Sequence, residues 1–194
     1  MSTPVADDGR IRCGWVPTDS SPNAVLYREY HDTEWGKQLR GTVALFERVS
    51  LEAFQSGLSW LTILRKRDGF RQAFEGFDID KVARFTDRDI ARLMEDAAIV
   101  RNRAKIEATI NNARAIADLD IDLSDLLWSF APAVKARPAE VSAVPAITPE
   151  STAMAKELKR RGFRFVGPTT AYALMQATGM VDDHIASCWV PTAA

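Results

Sequence analysis

The chain is poor in the side chains that most often hold transition metals. Among 194 residues there are two cysteines, Cys13 and Cys188, and two histidines, His31 and His184. So few cysteines exclude a disulfide-dense secreted scaffold, although a single bridge between the chain ends stays open. Long apolar runs are missing too, and none approaches the ~18 residues needed to cross a bilayer. Positive charge is not in excess: 25 basic against 26 acidic residues leave a net charge of −1. Bulk attraction to nucleic acid is therefore not expected, and such a partner would need local basic patches. The opening residues, MSTPVADDGR, carry two acids and no hydrophobic stretch, which does not fit a secretory signal. A cytoplasmic location is expected.

What is present points to a folded domain. With 46% apolar and 26% charged residues the chain is neither disordered nor collagen-like. A chain of 21.5 kDa should expose roughly 9,000 Å² when folded against about 31,000 Å² unfolded, enough for a real core. Residues 1–9 are expected to be a disordered lead and 191–194 a tail. Between them, 10–190 is expected to form one compact helical body, or two closely packed lobes about the proline-rich stretch 132–149.

Periodicity supports an all-α class. Residues 10–36 show little helical spacing, and Pro17, Ser20, Ser21, Pro22 and Asn23 suggest a loop. Thr42 is read as the N-cap of a helix carrying Val43, Leu45, Phe46, Val49 and Phe54. Ser59 caps the next, which exits at RKRDG, and FRQAF gives a separate short helix. Asp78 opens another, and Thr86 with Asp89 resembles a capping box. Residues 86–118 read as helix, turn at 96–102, helix, and the acidic stretch after Asp118 as solvent-facing. Thr148 with Pro149, and Gly167 with Pro168, start two last helices, stopped by Gly162 and Gly179.

His184 and Cys188, in HIASC, lie on one side of a helical turn and can reach one ion. Cys13 and His31 supply the other two ligands of a tetrahedral Cys₂His₂ zinc site joining the two chain ends. Four protein ligands leave no open position, which favours a structural Zn²⁺ over zinc-activated water. The competing reading, two buried small residues with incidental histidines, stays open because the Cys13-to-His31 spacing matches no standard finger. In LEAFQSGLSWL, Glu52 lies close to Phe54 and Trp60, with Trp15, Tyr30 and Trp35 upstream. A carboxylate among flat aromatic faces suits a planar, cationic base; the plainer alternative is a solvent-facing Glu52 beside core tryptophans.

The motifs RCGW, YREYHDTEWG, LEAFQSGLSW, RGFRFVGPTTAYALMQATG and DDHIASC, in that order, resemble the bacterial 3-methyladenine DNA glycosylase I family. That family belongs to the helix-hairpin-helix glycosylase superfamily, and the likeness runs from Arg12 to Cys188. It implies a helical monomer that flips 3-methyladenine out of double-stranded DNA and hydrolyses its N-glycosidic bond, with no organic cofactor. By the resemblance, the zinc ligands are Cys13, His31, His184 and Cys188. The base-pocket carboxylate is Glu52, with Tyr30, Trp60, Trp15 and Trp35 as pocket aromatics. The hairpin corresponds to turn 96–102, where Ala98 replaces a common glycine, and Leu58 fills the gap left by the flipped base.

The DNA face is expected from local charge: Arg101, Arg103 and Lys105 in one cluster, Lys159, Arg160 and Arg161 in another. The pocket motif has no lysine for a Schiff base, so strand cleavage is not expected. The alternative function is a non-catalytic, zinc-stapled helical module that binds damaged or distorted DNA.

Overall fold

The computed structural model describes residues 8–192, so positions 1–7 of the expected lead and 193–194 of the expected tail lie outside the described residues. Within the described residues the chain forms nine α-helices and no β-strand. They are α1 (Pro22–Thr33), α2 (Thr42–Gln55), α3 (Trp60–Ala73), α4 (Ile79–Ala83), α5 (Asp87–Glu95), α6 (Arg103–Ala117), α7 (Leu123–Trp128), α8 (Pro149–Arg160) and α9 (Pro168–Ala177).

Most helix starts obey the local rule that a short polar side chain satisfies the first free amides. Ser59 accepts from Thr62 N (3.3 Å), Asp78 from Lys81 N (3.0 Å), Asn102 from Lys105 N (3.1 Å) and Thr148 from Ser151 N (3.1 Å). Thr86 and Asp89 form the expected capping box.

The structure corrects four readings. Residues 22–33 are helix rather than loop: Ser21 caps Ala24 N at 3.2 Å with Pro22 just inside the helix, so the Ser-Ser-Pro run marks a helix start. Thr42 is the first helical residue, behind Gly41, and its hydroxyl donates to Asp122 at 2.5 Å. α3 continues through RKRDG to Ala73, because Gly69 there serves close packing. A Cβ on Gly69 would lie 2.6 Å from the Ala98 carbonyl oxygen, so only glycine lets α3 approach turn 96–102 this closely. The acidic stretch keeps Asp118, Asp120, Asp122 and Asp125 exposed as expected, but it also contains α7, capped by Asp122 and burying Leu123, Leu126 and Leu127.

α2 is the central helix, packed against α3, α6, α7 and α9 and buried from Leu45 to Phe54 except at Glu47. Around it Phe46, Phe54, Phe70, Phe74 and Phe77 form the densest part of the core, with Phe54 and Phe70 ring centres 4.6 Å apart. A smaller cluster of Val16, Ile185 and Val190 surrounds Cys13 and Cys188. Residues 129–148 are a long connection with one short 3₁₀ turn at Val141–Ala143, as the prolines suggest. Two helix-turn-helix units result, α5–α6 and α8–α9.

Gly179, just beyond α9, has φ +72°, and a Cβ there would meet backbone atoms of Gly36, Lys37 and Gln38 at 2.7–2.8 Å. Gly57 has φ +79° and open space around it. Gly57→Ala should therefore cost about 1–2 kcal/mol from the left-handed backbone alone, and Gly179→Ala at least about 3 kcal/mol with overpacking added. Denaturant midpoints of the two variants check this, and equal losses would refute it.

Candidate functional site

Cys13, on the segment before α1, and His31, in the last turns of α1, meet His184 and Cys188 from the chain's other end. All four are buried, and their ligand atoms lie within 4.8 Å of one another. Cys13 Sγ is 3.7 Å from His184 Nδ1, and Cys188 Sγ is 3.5 Å from His184 Nδ1 and 3.6 Å from His31 Nε2. Tetrahedral zinc with bonds of ~2.3 Å to sulfur and ~2.0–2.1 Å to nitrogen sets such pairs about 3.5 Å apart, so the four residues fit a metal ion. The outward ring nitrogens are also engaged. His31 Nδ1 is 2.8 Å from Asp32 Oδ1, and His184 Nε2 is 3.1 Å from the Trp35 carbonyl. Such partners fix imidazole orientation in metal sites. The Cys13 thiol and both imidazoles hold the Cys188 sulfur towards thiolate, while the neighbouring Cys188 sulfur and burial hold Cys13 towards the protonated form. Asp32 is in turn held by Arg12, at 2.7 Å, which also pairs with Asp8.

Beside this group lies a cavity of about 340 Å³, near the lower end of small-molecule sites. Every expected pocket residue lines it: Trp15, Tyr30, Trp35, Glu52 and Trp60. Trp15 and Trp35 stand edge-on to each other at 5.1 Å, and each also packs on the Cys/His group, Trp15 against His31 (5.2 Å) and Trp35 against His184 (4.7 Å). Tyr30 and Trp60 ring centres are 5.3 Å apart on the other wall.

Glu52 is 5% exposed. Burial pushes its carboxyl up to about 7, against a partial pull downwards from Arg48, one helical turn earlier on α2. Arg48 donates to the Tyr30 hydroxyl at 3.1 Å and lies 3.5 Å from Glu34, which Arg67 clamps at 2.6 Å. Burial keeps the Tyr30 phenol neutral, and with Arg48 filling its acceptor side its own hydrogen is available to donate.

Sequence reasoning missed several lining residues: Tyr27, Gln55, Val141, Val144, Ala173, Gln176 and Asp183. It also missed Arg48, although a basic residue four before an acid on an apolar helix is a readable signal. Asp183 accepts from the Tyr172 hydroxyl (2.6 Å) and the Gln176 side-chain amide (2.8 Å), both from the preceding helix α9.

The expected DNA-side residues are scattered. Leu58 is 41% exposed on loop 56–59, between the lining residues Gln55 and Trp60. Arg101 and Lys159 are exposed. Arg103 pairs with Glu107 at 3.2 Å, Arg160 with Glu157 at 2.6 Å, and Arg161 with Asp120 at 2.6 Å. Lys105 departs from the expectation of a surface contact: it is 7% exposed, and its ammonium donates to the carbonyls of Phe54 (2.9 Å) and Ser56 (2.5 Å). Its long stem lets the first turn of α6 reach the end of α2, and the charge is spent inside the protein.

Fold and cavity together define an all-helical protein with a narrow aromatic pocket built round one buried carboxylate. A family model described as methyladenine glycosylase matches residues 20–191, and the chain belongs to that family. A DNA-3-methyladenine glycosylase of Haemophilus influenzae is 44% identical over 183 residues, covering 91% of this chain and 96% of that one. DNA-3-methyladenine glycosylase 1 of Escherichia coli is 44% identical over 183 residues, with coverages of 91% and 95%. Among solved structures, 3-methyladenine DNA glycosylase I from Staphylococcus aureus matches with a TM-score of 0.84 at 35% identity, covering 91% and 96%. A further crystal structure of a 3-methyladenine DNA glycosylase I matches with a TM-score of 0.86 at 42% identity, covering 92% and 98%.

The raised Glu52 pKa makes a stability prediction. Above the ordinary value of 4.5 the unfolded carboxyl is ionised, while the folded one keeps its proton to about 7. Across that window the folded state binds more protons, so this group's contribution to stability falls as pH rises. Glu52→Gln removes the effect. The difference in unfolding free energy should move in the variant's favour by on the order of 3 kcal/mol between pH 4.5 and 8. A pH-independent difference in chemical denaturation would refute it.

Proposed function

We propose that this protein is a monofunctional DNA glycosylase that hydrolyses the N-glycosidic bond of 3-methyladenine in alkylated duplex DNA and leaves an abasic site. The observation that carries this reading is Glu52, a buried carboxylate lining an aromatic cavity with Tyr30 and Trp60. The named relatives act on the same base. An adenine methylated at N3 is already cationic, so its glycosidic bond is weakened before it is bound. The enzyme's task is then to extract the nucleotide, recognise the base and stabilise the positive charge developing on the sugar. Tyr30 and Trp60 offer faces to the ring, and the Tyr30 hydroxyl is a donor. Glu52 accepts from the adenine edge, and a cation beside it lowers the cost of its ionised form. The cavity lining contains no lysine among the described residues, in keeping with hydrolysis without strand cleavage.

Leu58, apolar and exposed at the cavity's edge, is suited to fill the gap in the stack. For the hairpin we favour α8–α9 over α5–α6. α9 contributes Ala173 and Gln176 to the cavity, and turn 161–167 leaves Gly162, Arg164 and Gly167 exposed. Turn 96–98, by contrast, is committed to α3, with Lys66 donating to the Ala97 carbonyl at 2.6 Å. With Arg160 and Arg161 paired to acids, phosphate contact falls more to Lys159, Arg164 and exposed backbone amides than to net charge.

Cys13, His31, His184 and Cys188 are proposed to hold one structural Zn²⁺. Native protein should contain about one zinc per chain, and Cys188→Ser should lower zinc content and melting temperature before it alters chemistry. Zinc-free native protein together with unchanged melting of the variant would refute this.

Mass-resolved release of free base from methylated duplex DNA tests the activity, with 3-methyladenine the expected product. Glu52→Gln keeps an acceptor but loses the charge, so single-turnover release should slow about 10- to 150-fold and free-base binding weaken, with abasic-DNA binding retained. A loss beyond about 10³-fold with normal free-base binding would reassign Glu52 to activation of the attacking water.

A further inference from the structure

We infer that Lys105 is a positioning residue for base extraction: from α6 it fixes the loop 56–59 that carries Leu58. The inference rests on the glycosylase reading above, in which Leu58 enters the base stack. Lys105 is almost fully buried, yet the acceptors of its ammonium are two neutral carbonyls, Phe54 and Ser56. Burying a cation against neutral partners is costly. The arrangement is intelligible from where those carbonyls sit. Phe54 is in the last turn of α2, at the negative end of the helix, where the amides of Ser56 and Leu58 go to the Ala53 and Gln55 carbonyls and leave the Phe54 carbonyl for the lysine. Ser56 is the residue at which the chain leaves the helix.

The next residues have little else to hold them. Gly57 adopts φ +79° with no atom within 4 Å of where its Cβ would be. Leu58 is 41% exposed, and its amide donates to the Gln55 carbonyl at 2.7 Å. Ser59 then caps α3, whose first residue, Trp60, is a pocket wall. The loop is thus pinned by Ser59 after Leu58 and by Lys105 before it, and among the described residues the hydrogen bond that ties it to a part of the fold beyond α2 and α3 comes from Lys105. That part is itself firm. Asn102 caps the amide of Lys105 at 3.1 Å, and turn 96–98 is fastened to α3 through Lys66 and the Gly69 contact.

An apolar wedge works only if the protein, rather than the DNA, holds its position as the base leaves the stack. A misplacement of about 1 Å can cost on the order of 10²-fold in rate. Lys105→Met keeps the stem and removes the two hydrogen bonds; Lys105→Arg can restore them. In the full-length protein, Lys105→Met should slow single-turnover release of 3-methyladenine from methylated duplex by about 10-fold or more. It should leave binding of free 3-methyladenine within about twofold and the slope of log affinity against log salt unchanged. Lys105→Arg should recover most of the rate. Combined with Leu58→Ala, the lysine change should add little to the loss Leu58→Ala causes alone, because both act through one contact.

A second readout needs no turnover. Binding to a duplex with a tetrahydrofuran abasic analogue beside 2-aminopurine should change fluorescence through Leu58, and Lys105→Met and Leu58→Ala should diminish that change alike. Base release by the wild type checks the glycosylase reading separately, whereas the fluorescence decides on Lys105 either way. The inference is overturned if the two variants' losses multiply, or if fluorescence is unaffected by Lys105→Met. It is also overturned if the salt slope drops by about one, which marks a direct phosphate contact, or if free-base binding falls with the rate, which marks damage to the pocket.

Discussion

The meeting of Cys13 and His31 with His184 and Cys188 is the constraint on which the rest of the site depends. It brings Cys13 beside His184, 171 positions further along the chain. Closing a loop of that size without a crosslink costs about 5 kcal/mol in chain entropy, and around these four side chains only Val16, Ile185 and Val190 complete the buried apolar cluster. A bond-forming centre, rather than hydrophobic area, is the economical way to hold such ends. The closure matters for chemistry because Trp15 and Trp35 touch the imidazoles on one side and line the cavity on the other. A wall built this way is as rigid as the ligand set behind it, although none of the four ligands faces the cavity. The four residues thereby bear on the shape of the cavity without lining it.

The opposite wall is governed by desolvation. α2 is the most buried helix near the cavity, and it carries both Arg48 and Glu52. Arg48 is engaged by Tyr30 and Glu34, so it lowers the Glu52 pKa only in part. A closer or less shared cation would have left Glu52 fully ionised and already satisfied, with little to gain from a charged base. Burial outweighs the pull of Arg48 and pushes the carboxyl up to about 7, so a cationic ligand beside it would favour its ionised form. On the function proposed above, such a pocket would favour a ligand that is both flat and cationic.

Much of this was legible in the sequence, and the misses have physical causes. Cap residues announced α3, α4, α5 and α8, and a proline at the first helical position announced α9, because such start signals are a matter of three or four neighbouring residues. α1 was hidden because Ser-Ser-Pro both ends loops and starts helices, and its low amphipathicity gave nothing to choose between them. α3 was cut short because Gly69 looks like a stop until the contact with Ala98 is known, and that contact spans the α3 and α5–α6 units. The four Cys and His residues and the pocket aromatics were accessible because each type is scarce or clustered. Asp183, Gln176 and Val144 reach the cavity by tertiary packing alone.

Lys105 marks the limit of reading charge from a string of residues. In sequence it belongs to a basic run with Arg101 and Arg103, and a basic run ordinarily faces solvent. The structure separates them by helical phase: Arg103, at the first position of α6, stays out and meets Glu107, while Lys105 turns inward to the end of α2. The same thinning affects the other cluster, where Glu157 and Asp120 take up two arginines. With net charge near zero, long-range attraction cannot dominate how DNA is held. On the function proposed above, affinity comes from a few close contacts at the proposed hairpin and from insertion of Leu58, which would place the burden of specificity on a stiff loop 56–59 and the pocket behind it.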